Sequence, residues 1–124
     1  MGNKKVLLNG KIDFQSLMKC VLNLRSLDVN VYFKLLEGET TVKELSNKLN
    51  CNRSTIQRAL TNLVNKGLAI RKPKTMKNGG YYFEYKAVSL NTIKEKINEK
   101  IKEWYATLSN FLEETMLKSR VQDK

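Results

Sequence analysis

The sequence predicts a mainly helical fold with a small β-hairpin (an α+β domain), followed by one long helix. Residues 41–67 place apolar residues at helical spacing in two short runs that a polar turn separates. Residues 68–88 hold two strand-like segments around a basic tip that contains glycine. Residues 89–117 repeat apolar residues at alternating spacings of three and four, which is typical of a long amphipathic helix.

Length and charge indicate how the chain is organised. A chain of 124 residues is expected to hold one compact domain and one appended element. We divide it into an N-terminal arm and helix (residues 1–26), a central domain (27–88) and a terminal helix (89–118). The net charge is +11, and residues 41–88, with ten Lys or Arg and two Glu, contribute +8 of it. Because the positive charge is concentrated there, we expect an anionic partner for the central domain.

The sequence does not support several classes of function. It contains no histidine, no glycine-rich phosphate loop and no paired-carboxylate motif, so we expect no catalytic residues, no enzyme activity and no cofactor. No apolar run is long enough to cross a membrane, and the N-terminal residues lack the apolar stretch of a secretory signal. We therefore expect a cytoplasmic protein without membrane contact.

The chain has two cysteines, Cys20 and Cys51. Without histidine they are too few for a structural zinc site, so no metal is expected. Cys20 falls on the apolar face of a predicted helix, which favours simple packing. An intersubunit disulfide or a redox-sensing role for Cys20 is the alternative.

The N-terminal region predicts a hairpin and two helices. Residues 6–12 have Asn-Gly between apolar residues, a strong hairpin signal. Asp13 is expected to cap a first helix over about residues 14–24. A second helix is expected over about residues 28–37, ending at Gly38 in a left-handed conformation.

The next two helices are marked by their capping residues. Thr41 and Glu44 have the spacing of a capping box at the start of the third helix. Asn52 is expected to follow a tight polar turn and to cap the fourth helix, although Ser54 offers a competing start. Gly67 is expected to end that helix.

The β-hairpin is predicted to follow directly. Residues 68–72 form its first strand, residues 73–80 a flexible basic tip, and residues 81–88 an aromatic second strand. Alternate aromatic residues of this strand are expected to pack under the hairpin. A surface that stacks nucleic-acid bases is the alternative interpretation.

Two short helices joined by a tight turn and followed by a basic hairpin predict a winged helix-turn-helix that binds DNA. In this arrangement the fourth helix enters the major groove, where Arg pairs with guanine, Gln with adenine, and Thr methyl groups meet thymine. The candidate base-reading residues are Arg53, Ser54, Thr55, Gln57, Arg58, Thr61 and Asn62. The candidate backbone contacts are Lys43 on the third helix and Arg71, Lys72, Lys74 and Lys77 on the wing.

The terminal helix predicts a dimer. At about 28 residues it would be about 42 Å long, which is too long for the preceding domain to cover. A coiled-coil-like seam between two chains would bury its large apolar residues. The candidate seam residues are Leu90, Ile97, Ile101, Trp104, Leu108 and Phe111. The alternative is packing within the chain against the first helix.

Three stretches carry a resemblance to a known group of proteins. They are LDVNVYFKLL (residues 27–36), TVKELS (41–46) and NRSTIQRAL (52–60), the last continuing to KGL at 66–68. They resemble motifs of the small archaeal winged-helix regulators of the TrmB-like and leucine-responsive-regulator-like families, which are related to MarR-type proteins. The resemblance implies DNA binding and dimers held by terminal helices. Larger TrmB-like proteins carry a C-terminal sugar-binding domain for which this chain is too short, so no small-molecule effector is expected.

We therefore expect a homodimeric regulator of transcription that binds specific sequences of double-stranded DNA at the nucleoid. One alternative is an architectural or chromatin-associated protein that binds DNA with little sequence preference. Another is an adaptor that uses the terminal helix to bind a different protein.

Overall fold

The structure, a computed structural model, describes residues 13–122 of the chain, with side chains up to residue 119. The hairpin predicted over residues 6–12 lies outside the described residues. The elements in order are α1 (Phe14–Val21), α2 (Ser26–Leu36), α3 (Val42–Leu49), α4 (Arg53–Asn65), β1 (Ala69–Thr75), β2 (Tyr81–Ala87) and α5 (Leu90–Gln122). The mainly helical fold with a two-stranded hairpin and a long last helix is confirmed.

The first two helices differ from their predicted bounds at the ends. Asp13 caps α1 as predicted, since its carboxylate accepts a hydrogen bond from the Ser16 backbone N–H at 2.7 Å. The helix ends at Val21 rather than residue 24, because Asn23 adopts a left-handed conformation with φ of 57°. Asp28 does not begin α2 but lies in its first turn, where it accepts from the backbone N–H of Arg25 at 3.0 Å.

The end of α2 also differs from the expectation. Gly38 has φ of +154°, far from the value of about +57° of a left-handed helical residue. The helix ends instead through two backbone bonds, from Glu37 to Lys34 and from Gly38 to Leu35.

The third and fourth helices begin at the predicted caps. The Thr41 hydroxyl accepts from the Glu44 backbone N–H at 3.2 Å, and the Asn52 side chain accepts from the Thr55 N–H at 2.9 Å. Ser54 does not compete for the start, because its hydroxyl donates to the Asn52 side chain. Between the helices, Asn50 takes a left-handed conformation with φ of 54°, which asparagine tolerates better than most residues.

The two strands form an antiparallel hairpin in which Ala69 lies opposite Ala87 and Thr75 lies opposite Tyr81. The first strand continues through Pro73, which we had placed in the flexible tip. Proline is tolerated there because each strand of a two-stranded sheet has one free edge, towards which its missing N–H can point. The tip is consequently shorter than predicted and covers residues 76–80.

One core holds the domain together. It contains the inner faces of the first four helices, Leu68, Tyr85 and the first turns of α5, represented by Ile93 and Ile97. The Tyr32 hydroxyl donates to the Val88 carbonyl at 2.6 Å and so ties α2 to the segment between the wing and α5. Beyond Ile97 the apolar residues of α5 are exposed. Within residues 13–122 no helix is both long and apolar enough to cross a membrane.

Candidate nucleic-acid interface

The outward face of α4 follows from which residues the helix buries. Its buried residues are Ile56, Ala59, Leu60 and Leu63, as the apolar pattern predicts. The side chains on the opposite side of the helix are therefore left in solvent. Of the seven predicted base-reading residues, five are exposed: Arg53, Ser54, Gln57, Arg58 and Thr61. Thr55 and Asn62 are partly buried.

Asn62 has an internal partner that the sequence did not predict. Its side-chain Nδ2 donates to the carboxylate of Asp28 on α2 at 2.9 Å. This bond joins α4 to α2 and uses the side chain for packing the domain. Asn62 is therefore better placed to hold α4 in position than to read a base.

A cleft separates the outward face of α4 from the wing. The side chains that line it include Lys43 of α3, Arg53 and Gln57 of α4, and Met76 and Tyr82 of the hairpin. The predicted Lys43 thus lies beside two of the predicted base-reading residues. The recognition helix and the wing face the same cleft, as a shared ligand surface requires.

The predicted basic residues of the wing have different surroundings. Lys72 pairs with Glu39 at 2.8 Å, and this hydrogen bond lowers the pKa of the Glu39 carboxyl. Lys74 lies 3.8 Å from Glu84, and the Arg71 guanidinium lies 4.6 Å from the centre of the Phe83 ring. Lys77 is exposed at the tip. The wing cations are partly held by internal partners, and Lys77 extends furthest from the domain core along the hairpin.

The aromatic strand divides between the core and the surface. Tyr85 is buried and Phe83 is partly buried, as expected for residues packed under the hairpin. Tyr81 and Tyr82 are exposed. The base-stacking alternative is therefore limited to these two rings.

A second cleft borders the outward face of α4 on the side away from the wing. Arg25, ahead of α2, lines it together with Arg58, Thr61 and Lys66. The sequence analysis did not select Arg25. The signal was present in the spacing of Arg25 and Asp28, since an acidic residue in the first helical turn can fix the side chain that precedes the helix.

The cysteine prediction was wrong for Cys20, whose side chain is exposed rather than packed. Residues two apart on a helix point in nearly opposite directions, and Cys20 lies two positions after the buried Met18. Cys51 is partly buried, and both thiols are free. Among residues 13–122 no group of His, Cys, Asp or Glu side chains could hold a metal ion.

The predicted seam residues of α5 fall into two groups. Ile97 is only 3% exposed and belongs to the core of its own chain, so it has little surface to offer a partner. The sequence pattern could not distinguish it from its neighbours on the same stripe. The remaining residues are exposed: Leu90, Ile101, Trp104, Leu108 and Phe111. They continue into further exposed apolar residues near the end of the helix, at Leu112, Met116 and Leu117.

A capped helix pair, an exposed polar face on its second helix and an adjoining antiparallel wing define a winged helix-turn-helix protein of the DNA-binding class. The sequence model of the sugar-specific transcriptional regulators called TrmB matches residues 18–91. The chain belongs to this family, and it is a DNA-binding transcriptional regulator rather than an enzyme.

Relatives and solved structures agree with this assignment. Two uncharacterised proteins of Methanocaldococcus jannaschii are similar: one is 37% identical over 111 residues (89% of this chain, 84% of the relative), the other 39% over 103 residues (82% and 85%). A possible transcriptional regulator from Methanosarcina mazei has a similar structure, with 31% identity, coverage of 83% and 94%, and a TM-score of 0.76. The protein ST1889 of Sulfolobus tokodaii shares the fold at 20% identity, coverage of 76% and 93%, and a TM-score of 0.65.

Proposed function

We propose that the protein is a homodimeric regulator that recognises specific sequences of double-stranded DNA. The outward face of α4 enters a major groove, and the wing contacts the flanking backbone. The observation that carries this proposal is the exposed polar face of α4, which lies beside the wing across a cleft lined by Lys43, Arg53 and Gln57. Binding to chromosomal DNA would place the protein in the cytoplasm, at the nucleoid.

The chemistry of this face suits base recognition. Arg53 stands in the first turn of α4, the part of a recognition helix that reaches base edges. A bidentate pair between arginine and guanine contributes about 1–3 kcal/mol of discrimination against the wrong base. Among the described residues Arg53 has no ion pair, so its guanidinium is free to make that contact. Gln57 lies one turn further along the same face.

The wing supplies charge rather than sequence information. Lys77 at the tip and Arg71 on the first strand can approach phosphates on either side of the groove. Lys72 and Lys74 would have to exchange their partners Glu39 and Glu84 for phosphate. Both pairs are at the surface, where such pairs contribute little to stability, so the exchange costs little.

The exposed stripe of α5 supports the dimer. Trp104 is 42% exposed and Phe111 is 62% exposed in the single chain, and water disfavours a row of such residues. Pairing of two α5 helices would cover the stripe and place two recognition helices on one duplex. Two-fold symmetry then predicts half-sites about 34 Å apart, one turn of DNA, or a multiple of that distance.

Selection of bound sequences from a pool of random duplexes tests the function. We expect a two-fold symmetric site whose binding weakens steeply with salt, because phosphates are neutralised. Arg53→Ala should relax the preference at one base pair of each half-site and weaken binding about tenfold. Lys77→Ala should weaken all sequences alike and lower the salt slope by about one.

The matched control is Lys102→Ala, which removes one positive charge from an exposed position on α5. Uniform loss from every variant, with no sequence selected, would assign the protein to the architectural class. Absence of salt-dependent DNA binding together with a monomeric chain would instead favour the adaptor that binds another protein through α5.

A further inference from the structure

Asp28 is a completely buried carboxylate, with 0% of its surface exposed. Both of its oxygens are hydrogen-bonded. Oδ1 accepts from Arg25 Nη2 at 3.1 Å, and Oδ2 accepts from the Arg25 backbone N–H at 3.0 Å, from Arg25 Nε at 3.3 Å and from Asn62 Nδ2 at 2.9 Å. A buried charge without such partners would cost several kcal/mol, so this network is what allows the carboxylate to be there.

Stability alone is a weak reason for this network. Apolar residues of similar volume often stabilise a protein as well as a buried ion pair does. The ion pair supplies geometry that apolar packing would not. Two nitrogens of the Arg25 guanidinium are fixed to Asp28, and Asp28 is joined to α4 through Asn62. The guanidinium of Arg25 is therefore held at a defined place relative to the recognition helix.

Arg25 remains available to a ligand although it is held in this way. Its side chain is 56% exposed. A guanidinium carries five N–H donors, more than its two bonds to Asp28 use. The hydrogen bonds and the charge of Asp28 also raise the pKa of Arg25 above its usual value, so the group stays positive. It faces solvent as a fixed cation with spare donors.

The cleft beside Arg25 is positively charged. Its lining includes Arg58, Lys66 and the polar side chains of Asn23 and Thr61, and no Asp or Glu lines it. Among residues 13–119 neither Arg58 nor Lys66 forms an ion pair. Arg53 and Gln57 border the wing cleft, whereas Arg58 and Thr61 border this one. The two clefts thus flank the outward face of α4.

We propose that Arg25, positioned by Asp28, binds a phosphate of the DNA backbone in this cleft, together with Lys66. The inference rests on the proposed function, because it requires that α4 lie in a major groove. A major groove is bounded by a phosphate backbone on each side. The wing contacts one side, and Arg25 contacts the other. Contacts on both sides fix the depth and the register of α4 in the groove.

The test measures binding of the full chain to a fluorescent duplex of random sequence over a series of salt concentrations. Arg25→Ala should weaken binding about tenfold, as expected for one charge-assisted contact. The slope of log K against log salt should fall by about 0.9, the value for one lost phosphate. Lys102→Ala is the control for removal of one charge. Equal behaviour of the two variants would overturn the inference.

Arg53→Ala, measured in parallel, separates this inference from the proposed function. If Arg53→Ala changes site selection while Arg25→Ala behaves like Lys102→Ala, the function stands and the inference fails. If the unaltered chain binds no duplex in a salt-dependent manner, the proposed function itself fails. If both variants lose binding as stated, both proposals are supported.

The positioning role of Asp28 needs its own variants. Asp28→Asn should weaken DNA binding in the unaltered chain but have no further effect in Arg25→Ala. An equal loss in both backgrounds would show a merely structural role. If Asp28→Asn does not fold, Arg25→Lys replaces it. Lysine keeps the charge without the fork that Asp28 fixes, so binding should weaken while the salt slope is kept, and wild-type binding by Arg25→Lys would overturn the positioning role.

A small phosphate ligand would use the same chemistry as the DNA backbone. Sodium phosphate is therefore titrated into the complex and compared with sodium chloride at equal ionic strength. Equal inhibition by the two salts supports the DNA phosphate as the ligand. Additional inhibition by phosphate that Arg25→Ala abolishes would assign the cleft to a small ligand and overturn the proposal.

Discussion

The side-chain amide of Gln57 donates a hydrogen bond to the phenolic oxygen of Tyr85 at 3.2 Å. Gln57 lies on the outward face of α4, and Tyr85 is a buried residue of β2. The backbone of Tyr85 also pairs with Thr40, just ahead of α3, through N–H to carbonyl bonds of 3.1 and 2.8 Å. One residue of the wing therefore contacts both parts of the helix-turn-helix, so the wing and α4 are fixed relative to each other.

Tyr85→Phe should keep the packing of the ring and remove the acceptor for Gln57. We expect the free energy of unfolding to fall by about 1 kcal/mol, the net contribution of one hydrogen bond. Urea denaturation measures this change. Tyr81→Phe is the control, because Tyr81 is exposed and its removal should leave stability unchanged. An equal effect of the two substitutions would show that the Gln57 bond contributes nothing.

Local features of the fold were predictable from the sequence. Asp13, Thr41 and Asn52 cap their helices as expected, because a cap is a hydrogen bond between a side chain and a backbone group only a few residues away. The inner stripe of α4 was predictable for the same reason, since helical periodicity alone determines which residues share a face.

Contacts between distant residues were not predictable. Asn62 and Asp28 are 34 residues apart, and nothing in the local pattern of either residue indicates that they meet. The site therefore lost Asn62 as a base reader and gained Arg25 only once α2 and α4 were packed together. Ile97 shows the same limit: the stripe of α5 continues past the point where the domain ends, and only the tertiary structure locates that point.

The cap of α4 offers a variant that separates stability from binding. Asn52→Asp keeps an acceptor for the Thr55 N–H and adds a negative charge at the helix N-terminus, so stability should be unchanged or slightly higher. The same charge would face DNA phosphates, so affinity should fall about tenfold or more at low salt. Thermal unfolding and duplex titration measure the two effects.

The matched variant is Asn52→Ala, which removes the acceptor without adding charge. It should lower the free energy of unfolding by about 1 kcal/mol. If Asn52→Asp binds DNA as well as the unaltered chain, the start of α4 does not lie near the backbone and the proposed docking is wrong.

Tyr32 predicts a dependence of stability on alkaline pH. Burial raises the pKa of Tyr32 to about 12, above the ordinary value of about 10. Between these values the unfolded chain loses the proton while the folded chain keeps it. The contribution of Tyr32 to stability is therefore complete below pH of about 10 and is lost as pH rises towards 12, by at most about 1.4 kcal/mol per pH unit.

Tyr32→Phe isolates this contribution from that of other titrating groups. At neutral pH the variant should be less stable by about 1 kcal/mol, because the hydrogen bond to the Val88 carbonyl is lost. Above pH of about 10 the difference should narrow and then reverse, since phenylalanine has no proton to lose. Urea denaturation at neutral pH and at two alkaline values checks this, and a constant difference would contradict it.

The dimer predicts that one substitution on α5 separates assembly from folding. Phe111→Glu places a charge on the exposed stripe, far along α5 from the core residues Ile93 and Ile97. Each copy of the dimer would lose a buried phenylalanine, so the dissociation constant should rise at least about a hundredfold. Sedimentation measures assembly, and the emission of Trp104 should shift to longer wavelength as its ring becomes wet.

Asn110→Glu is the control, because it adds the same charge one position away on the exposed helix and should leave the dimer intact. Unchanged thermal unfolding of the monomeric Phe111→Glu chain would show that the winged domain does not depend on assembly. Its DNA affinity should nevertheless drop, since a monomer contacts one half-site and a dimer contacts two. If Phe111→Glu and Asn110→Glu sediment identically, the stripe on α5 is not the dimer seam, and the paired recognition helices would need another explanation.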